Sequence, residues 1–201
     1  MKEKVVLKSA NPEQYEDLVV ECKVIRNSEI GDYLATIPED RKFVAYKSVP
    51  VNARQGVVGE VIKTEIKTIV DGREYILHEE SNTVKERDGL VDIVVTNMSS
   101  TSNEQYIVKQ KKFMETYQLP SEGTVENNFG LGWVPAYDPR VFTQVDEDVI
   151  IETSWGEKVV CLKGSYIVTY NALENDYNAV EKDAFSSTYT KESMRFSRRK
   201  K

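Results

Sequence analysis

The chain has 201 residues, 40% of them hydrophobic and 30% charged. Those fractions fit one globular domain or two small ones and exclude a disordered or fibrous chain. With no run of about 18 apolar residues, a membrane-spanning helix is also excluded. The net charge is −6, and it is unevenly placed. Thr190 to Lys201 carries six basic residues against Glu192, a local +5, so the remaining body carries −11. An acidic body is a poor binder of a phosphate backbone, which leaves the basic tail as the only route to nucleic acid. The tail from Lys191 onward is expected to be solvated and to add nothing to folding.

Met1-Lys2-Glu3-Lys4 leads into no apolar stretch of signal-peptide length, so the expected compartment is the cytoplasm. Cys22 and Cys161 sit among apolar neighbours and are expected to be buried free thiols.

In chain order, Lys4 to Lys8 reads as a strand. Asn11-Pro12-Glu13-Gln14 reads as the start of a short helix, with Asn as cap and Pro at the first helical position. Val20, Cys22 and Val24 alternate with polar residues, as in a strand. Ile30-Gly31-Asp32 reads as a turn before a strand from Tyr33 to Ile37. Pro38-Glu39-Asp40 turns the chain into a strand from Phe43 to Tyr46. Val61 to Val70, Asp71-Gly72 and Arg73 to Leu77 carry the strongest hairpin signal, since Asp-Gly tolerates the positive φ angles of a two-residue turn. Glu79 to Asp88 reads as an exposed loop, and Leu90 to Thr96 as a strand. Val149 to Thr153 and Lys158 to Leu162 form a second hairpin around Trp155-Gly156. Tyr166 to Tyr170 is a further strand.

Two segments repeat one another in order and chemistry. The first runs from Asp88-Gly89 through Asp92 to Asn97 and Tyr106 to Phe113-Met114-Glu115-Thr116-Tyr117. The second runs from Lys163-Gly164 through Ser165 to Tyr170 and Tyr177 to Phe185-Ser186-Ser187-Thr188-Tyr189. Both end in Phe-x-x-Thr-Tyr, with aromatics at i and i+4, the spacing that one helical turn brings to one face. A partial third copy, Gly31 to Thr36 followed by Phe43-Val44-Ala45, lacks that ending.

The expected fold is therefore mainly β with short helical turns: two related small β modules plus a partial N-terminal third. The expected layout is the partial repeat over 1–48, the first module over 49–119, a Gly/Pro/aromatic linker over 120–140, the second module over 141–190 and the basic tail over 191–201.

The arrangement of Gly31-Asp32-Tyr33-Leu34-Ala35-Thr36, Lys163-Gly164-Ser165-Tyr166-Ile167-Val168-Thr169, Phe185 and Tyr189 resembles small phage and bacterial modules of the PGDYL type. The leading proline of that pattern is missing from all three copies. The resemblance implies a phage or prophage source and no activity.

No ligand-spaced cluster surrounds His78, Cys22 and Cys161, so neither a metal nor another cofactor is expected. Asp146-Glu147-Asp148 reads as a solvated turn. Gly130-Leu131-Gly132 lacks the third glycine and the helix of a dinucleotide site. A catalytic set does not emerge. The expected function is non-catalytic binding of a nucleotide-like small molecule or of a protein surface. The alternatives are a structural or assembly component of a virion, and an enzyme acting on a nucleotide or sugar. A homo-oligomer fits the first two.

The candidate binding residues come from the linker and its surroundings. Trp133 and Tyr137 offer stacking surfaces, with Arg54, Gln55, Asn127 and Asn128 as polar neighbours. Trp155 offers an anchor at a turn tip. If Trp133 instead packs inside, it joins the modules and leaves the site.

Overall fold

The computed structural model describes residues 1–97, 104–118 and 132–192. Strands β1 (Lys2–Ser9) and β2 (Leu18–Ile25) lead through helix α1 (Ile30–Thr36) to β3 (Lys42–Lys47) and β4 (Val51–Gln55). A long hairpin follows, β5 (Val61–Val70) and β6 (Arg73–Thr83), then a short one, β7 (Glu86–Arg87) and β8 (Leu90–Val91). Next come β9 (Ile93–Asn97), β10 (Gln105–Val108), α2 (Gln110–Thr116) and β11 (Tyr117–Gln118). The last part holds β12 (Val134–Pro135), β13 (Arg140–Gln144), β14 (Val149–Glu152), β15 (Lys158–Cys161), β16 (Tyr166–Asn171), β17 (Asp176–Val180), α3 (Lys182–Thr188) and β18 (Tyr189–Lys191). The protein is mainly β with short helices.

One sheet has six strands in the order β15-β14-β2-β1-β6-β5. Its centre joins the N-terminal strands to the second half of the chain, because β14 pairs in parallel with β2 through Val149↔Lys23 and Ile151↔Ile25. The Asp71-Gly72 turn behaves as its sequence predicts, with φ of 50° and 75°.

The two repeats form the other sheets, and each has the same strand order. In the second copy the order is β17-β16-β13-β3-β18. In the first copy β10-β9-β4 form a sheet, Trp133 bridges to Val51 of β4, and β12 pairs with β11. The fourth position is therefore filled by β3 in the second copy and by Trp133 to Pro135 in the first. Each of these segments precedes the opposite copy in sequence. The segment 1–48 thus gives a strand to the second copy, and the segment 120–140 gives one to the first.

The Phe-x-x-Thr-Tyr motif has one geometry in both copies. Helices α2 and α3 have seven residues each, and the following Tyr amide donates back to the Phe carbonyl. The two rings stack at 4.8 Å for Phe113–Tyr117 and 5.4 Å for Phe185–Tyr189. Phe113 and Phe185 are buried, each in the apolar cluster of its own copy.

Three local expectations change. Tyr33 to Ile37 was expected as a strand, but Ile30–Thr36 is helical, with Ile30, Tyr33, Leu34 and Ile37 buried. Those positions are i, i+3, i+4 and i+7, one face of a helix. The Gly31-Asp32 likeness to the repeat is local sequence without shared structure. Glu79 to Asp88 was expected as a loop, but β6 runs on to Thr83 and β7 begins at Glu86. Pairing with β5 holds this polar stretch extended, as Val61↔Thr83 and Thr64↔Glu80. Asn11 begins a single turn, closed by the Gln14 and Tyr15 amides donating to its carbonyl. The side chain of Asp17 accepts from the Ser9 amide and ties the turn's two ends together.

The tail boundary also moves. Lys191 pairs with Ala45, its ammonium lies 3.8 Å from the Phe43 ring centroid, and the Glu192 amide donates to Val44. Both residues belong to the folded body. Residues 193–201 lie outside the described residues.

Candidate functional site

Two adjoining cavities, about 380 and 350 Å³, lie where the β5–β6 hairpin meets the second copy. They share Ile66, Glu104 and Glu181 and make one groove. Sites of this size fall at the lower end of the usual range for ligand pockets.

The first cavity is bounded by the consecutive residues Glu65 to Ile69 of β5 on one bank and by α3 on the other, through Asp183, Ala184, Ser186 and Ser187. The two banks are tied together at one end. Glu181 is buried, and one of its carboxylate oxygens accepts from Thr68 Oγ1 at 3.0 Å. The other accepts from the Asp183 and Ala184 amides at 2.6 and 3.0 Å, capping α3. Lys182 Nζ also donates to the Ile69 carbonyl at 3.1 Å.

The second cavity is bounded by His78 and Glu80 of β6, by Trp155 and Glu157 at the β14–β15 turn, and by Asn178 of β17. Its apolar floor comes from Ile66, Leu77, Val159 and Val160. Trp155 is 57% exposed, and its indole N–H donates to Glu157 at 2.9 Å. His78 Nε2 stands 3.9 Å from both Glu80 and Glu157, so a protonated imidazole pairs with either carboxylate.

Beneath the groove lies a polar network. Lys47 Nζ donates to the hydroxyls of Tyr106 and Tyr117 at 3.0 Å each, and the two hydroxyls are 3.0 Å apart. Burial pushes the Tyr106 hydroxyl well above its ordinary range, with the neighbouring Tyr117 adding to the effect. Glu104 accepts from the Asn97 side-chain amide at 2.8 Å. Burial raises the Glu104 carboxyl above its usual range, while the Asn97 hydrogen bond and the Lys47 charge oppose the rise.

Carboxylates dominate the lining. The two lysines that reach the groove are already paired, Lys67 with Glu74 at 3.0 Å and Lys158 with Glu3 at 2.8 Å. Glu104, Glu181 and Asp183 have no basic side chain paired to them by a salt bridge among the described residues, and Asp183 Oδ2 is buried without a hydrogen-bond partner there. The groove is therefore negative. It attracts cationic groups and repels phosphate.

The predicted site residues that are described lie apart from one another. Trp133 is 1% exposed and belongs to the first copy's core, with its ring 4.8 Å from Phe113. Its backbone exchanges two hydrogen bonds with Val51, of 2.7 and 2.9 Å. It joins structure together and is not a stacking platform. Arg54 donates to Glu60 through both terminal guanidinium nitrogens, and Gln55 is exposed beside it at the end of β4. Tyr137 is 66% exposed, packs edge-on against Tyr46 at 5.0 Å and donates to Glu192. Asn127 and Asn128 lie outside the described residues. Of the expected residues that are described, Trp155 alone lines the groove. Sequence reasoning passed over His78, Glu104, Tyr106 and Glu181, which come together only through long-range pairing.

The thiols are poor nucleophiles. Burial, helped by Asp148, pushes Cys22 up to about 11 and raises Cys161 further. A thiolate is then scarce at neutral pH.

Comparison with protein-family models, with curated proteins and with solved structures returns no match.

Proposed function

We propose that the protein is a non-catalytic binding module whose ligand is a cationic segment of another polypeptide, held in the groove between the β5–β6 hairpin and the second copy. The observation that carries this reading is the lining itself. Carboxylates outnumber the basic groups, and those basic groups are already paired within the chain. Such a surface disfavours a nucleotide, whose phosphates need Arg, Lys or a helix terminus. Trp155 supplies an exposed aromatic face beside Glu157, in a cavity that Glu80 also lines, a setting that suits an arginine or lysine side chain.

Calorimetric titration of the full chain tests this. An arginine-rich peptide binds and ATP does not. Trp155→Ala weakens the peptide by about tenfold, near the 1.4 kcal/mol that such a factor represents. ATP binding that Trp155→Ala abolishes would overturn the proposal.

A further inference from the structure

We infer that the groove takes its polypeptide ligand as an added β-strand, paired to the free edge of β5 and carrying basic side chains at alternate positions. This rests on the groove being a peptide site and specifies how the peptide lies in it.

The edge is open. β5 is the terminal strand of the six-stranded sheet. The five consecutive residues Glu65 to Ile69 all line one cavity. A strand's side chains alternate between its two faces, so consecutive residues line a single space only when the strand presents its edge.

The register shows which backbone groups point outward. Val70 and Arg73 flank the two-residue turn and form its closing pair. In an antiparallel ladder bonded and non-bonded pairs alternate, so Ile69↔Glu74 and Lys67↔Ile76 are non-bonded pairs. Their amides and carbonyls face away from the partner strand. Two contacts agree with that assignment: the Ile69 carbonyl accepts from Lys182 Nζ, and the Glu74 carbonyl accepts from the Ala10 amide. Lys67 thus turns an N–H and a C=O toward the cavity.

An incoming strand pairs with Lys67 and lies between β5 and α3. Its side chains alternate. Thr68 reaches the α3 bank through Glu181, so one row of ligand side chains runs along that bank, past Glu104, Glu181 and Asp183. Lysine or arginine at alternate positions answers those carboxylates, and the buried, unpartnered Asp183 Oδ2 gains a donor. Backbone pairing supplies affinity and the acidic bank supplies selectivity, the division of labour seen where a peptide extends a sheet.

The experiment titrates the full chain with a synthetic heptapeptide alternating arginine and threonine. Lys67→Pro removes the outward amide and leaves the β5–β6 ladder intact, as proline permits at an edge position. It weakens binding by about tenfold or more, while Lys67→Ala changes it less than about threefold, and both variants keep the parent melting temperature. Peptides N-methylated at alternate residues give a second readout on the unaltered protein: one parity abolishes binding and the other does not. Equal loss for both parities, or displacement of the peptide by spermine at equal charge concentration, overturns strand addition. If Trp155→Ala then still weakens the peptide, the groove reading stands without it. If the peptide does not bind at all, both fall.

Discussion

The two repeats share a strand order and a helix, yet they close differently: both reach the groove, the first through Glu104 and Tyr106, but only the second lends it a helix. In the second copy α3 opens on Glu181, whose buried carboxylate caps two amides and also grips Thr68 of the hairpin. In the first copy the equivalent residue is Lys109, and α2 has no side-chain cap. The first copy spends its closing strand on Trp133, packed on Phe113. One motif thus serves a purely internal core in one place and forms the bank of a cavity in another. The helix cap differs between the two, Lys109 in the first and Glu181 in the second.

The largest expected effect tests whether the copies are equivalent inside. Phe113→Ala and Phe185→Ala each cost about 3–5 kcal/mol, as for any buried aromatic truncation, and Trp133→Ala costs the same. Urea denaturation measures all three. A loss under about 1 kcal/mol at Phe113 or Trp133 would break the equivalence, because it would mean that the first copy is not packed as the second is.

A cap exchange sharpens the contrast. Glu181→Ala removes the cap and the bond to Thr68, and costs about 2 kcal/mol. Lys109→Asp places a carboxylate at the same point of the first copy and gains about 1 kcal/mol. Thermal melting of the two variants should move in opposite directions. Movement in the same direction would show that Glu181 acts through the hairpin alone.

The smallest effect concerns pH. Glu104 is held above its unfolded value by burial. Its contribution to stability is fully present below the unfolded value of about 4.3 and is lost as pH rises through the folded one. Glu104→Gln keeps the acceptor for Asn97 and removes the charge. It raises the melting temperature by about 2 °C at pH 7 and leaves it unchanged at pH 4. An increase of the same size at both pH values would place its origin outside the carboxylate.

Local chemistry made much of the fold legible. The Asp71-Gly72 hairpin, the alternating strands and the Phe-x-x-Thr-Tyr helices are all set by residues within about ten positions of one another. The misread elements have physical causes. Ile30, Tyr33, Leu34 and Ile37 carry a helical period, which the likeness of Gly31-Asp32 to the repeat obscured. The polar end of β6 shows no alternation because the pairing with β5, and not burial, holds it extended. The groove was out of reach. Thr68 and Glu181 meet across 113 positions, and the exchange of β3 and Trp133–Pro135 between copies leaves no mark in either segment. Trp155 stood out as a turn-tip anchor, but His78 looked like an ordinary hairpin residue, and only the meeting of β6 with the β14–β15 turn puts the two in one cavity.

Amide chemical shifts of the full chain, followed while the arginine–threonine heptapeptide is added, test the central claim most directly. The perturbed amides are expected to map to the groove: Glu65 to Ile69, His78, Trp155 to Val160, Asn178 and Ala184. Arg54, Gln55 and Tyr137 are expected to stay unmoved. Perturbations gathered around Tyr46 and Tyr137, with the β5 edge silent, would contradict that claim.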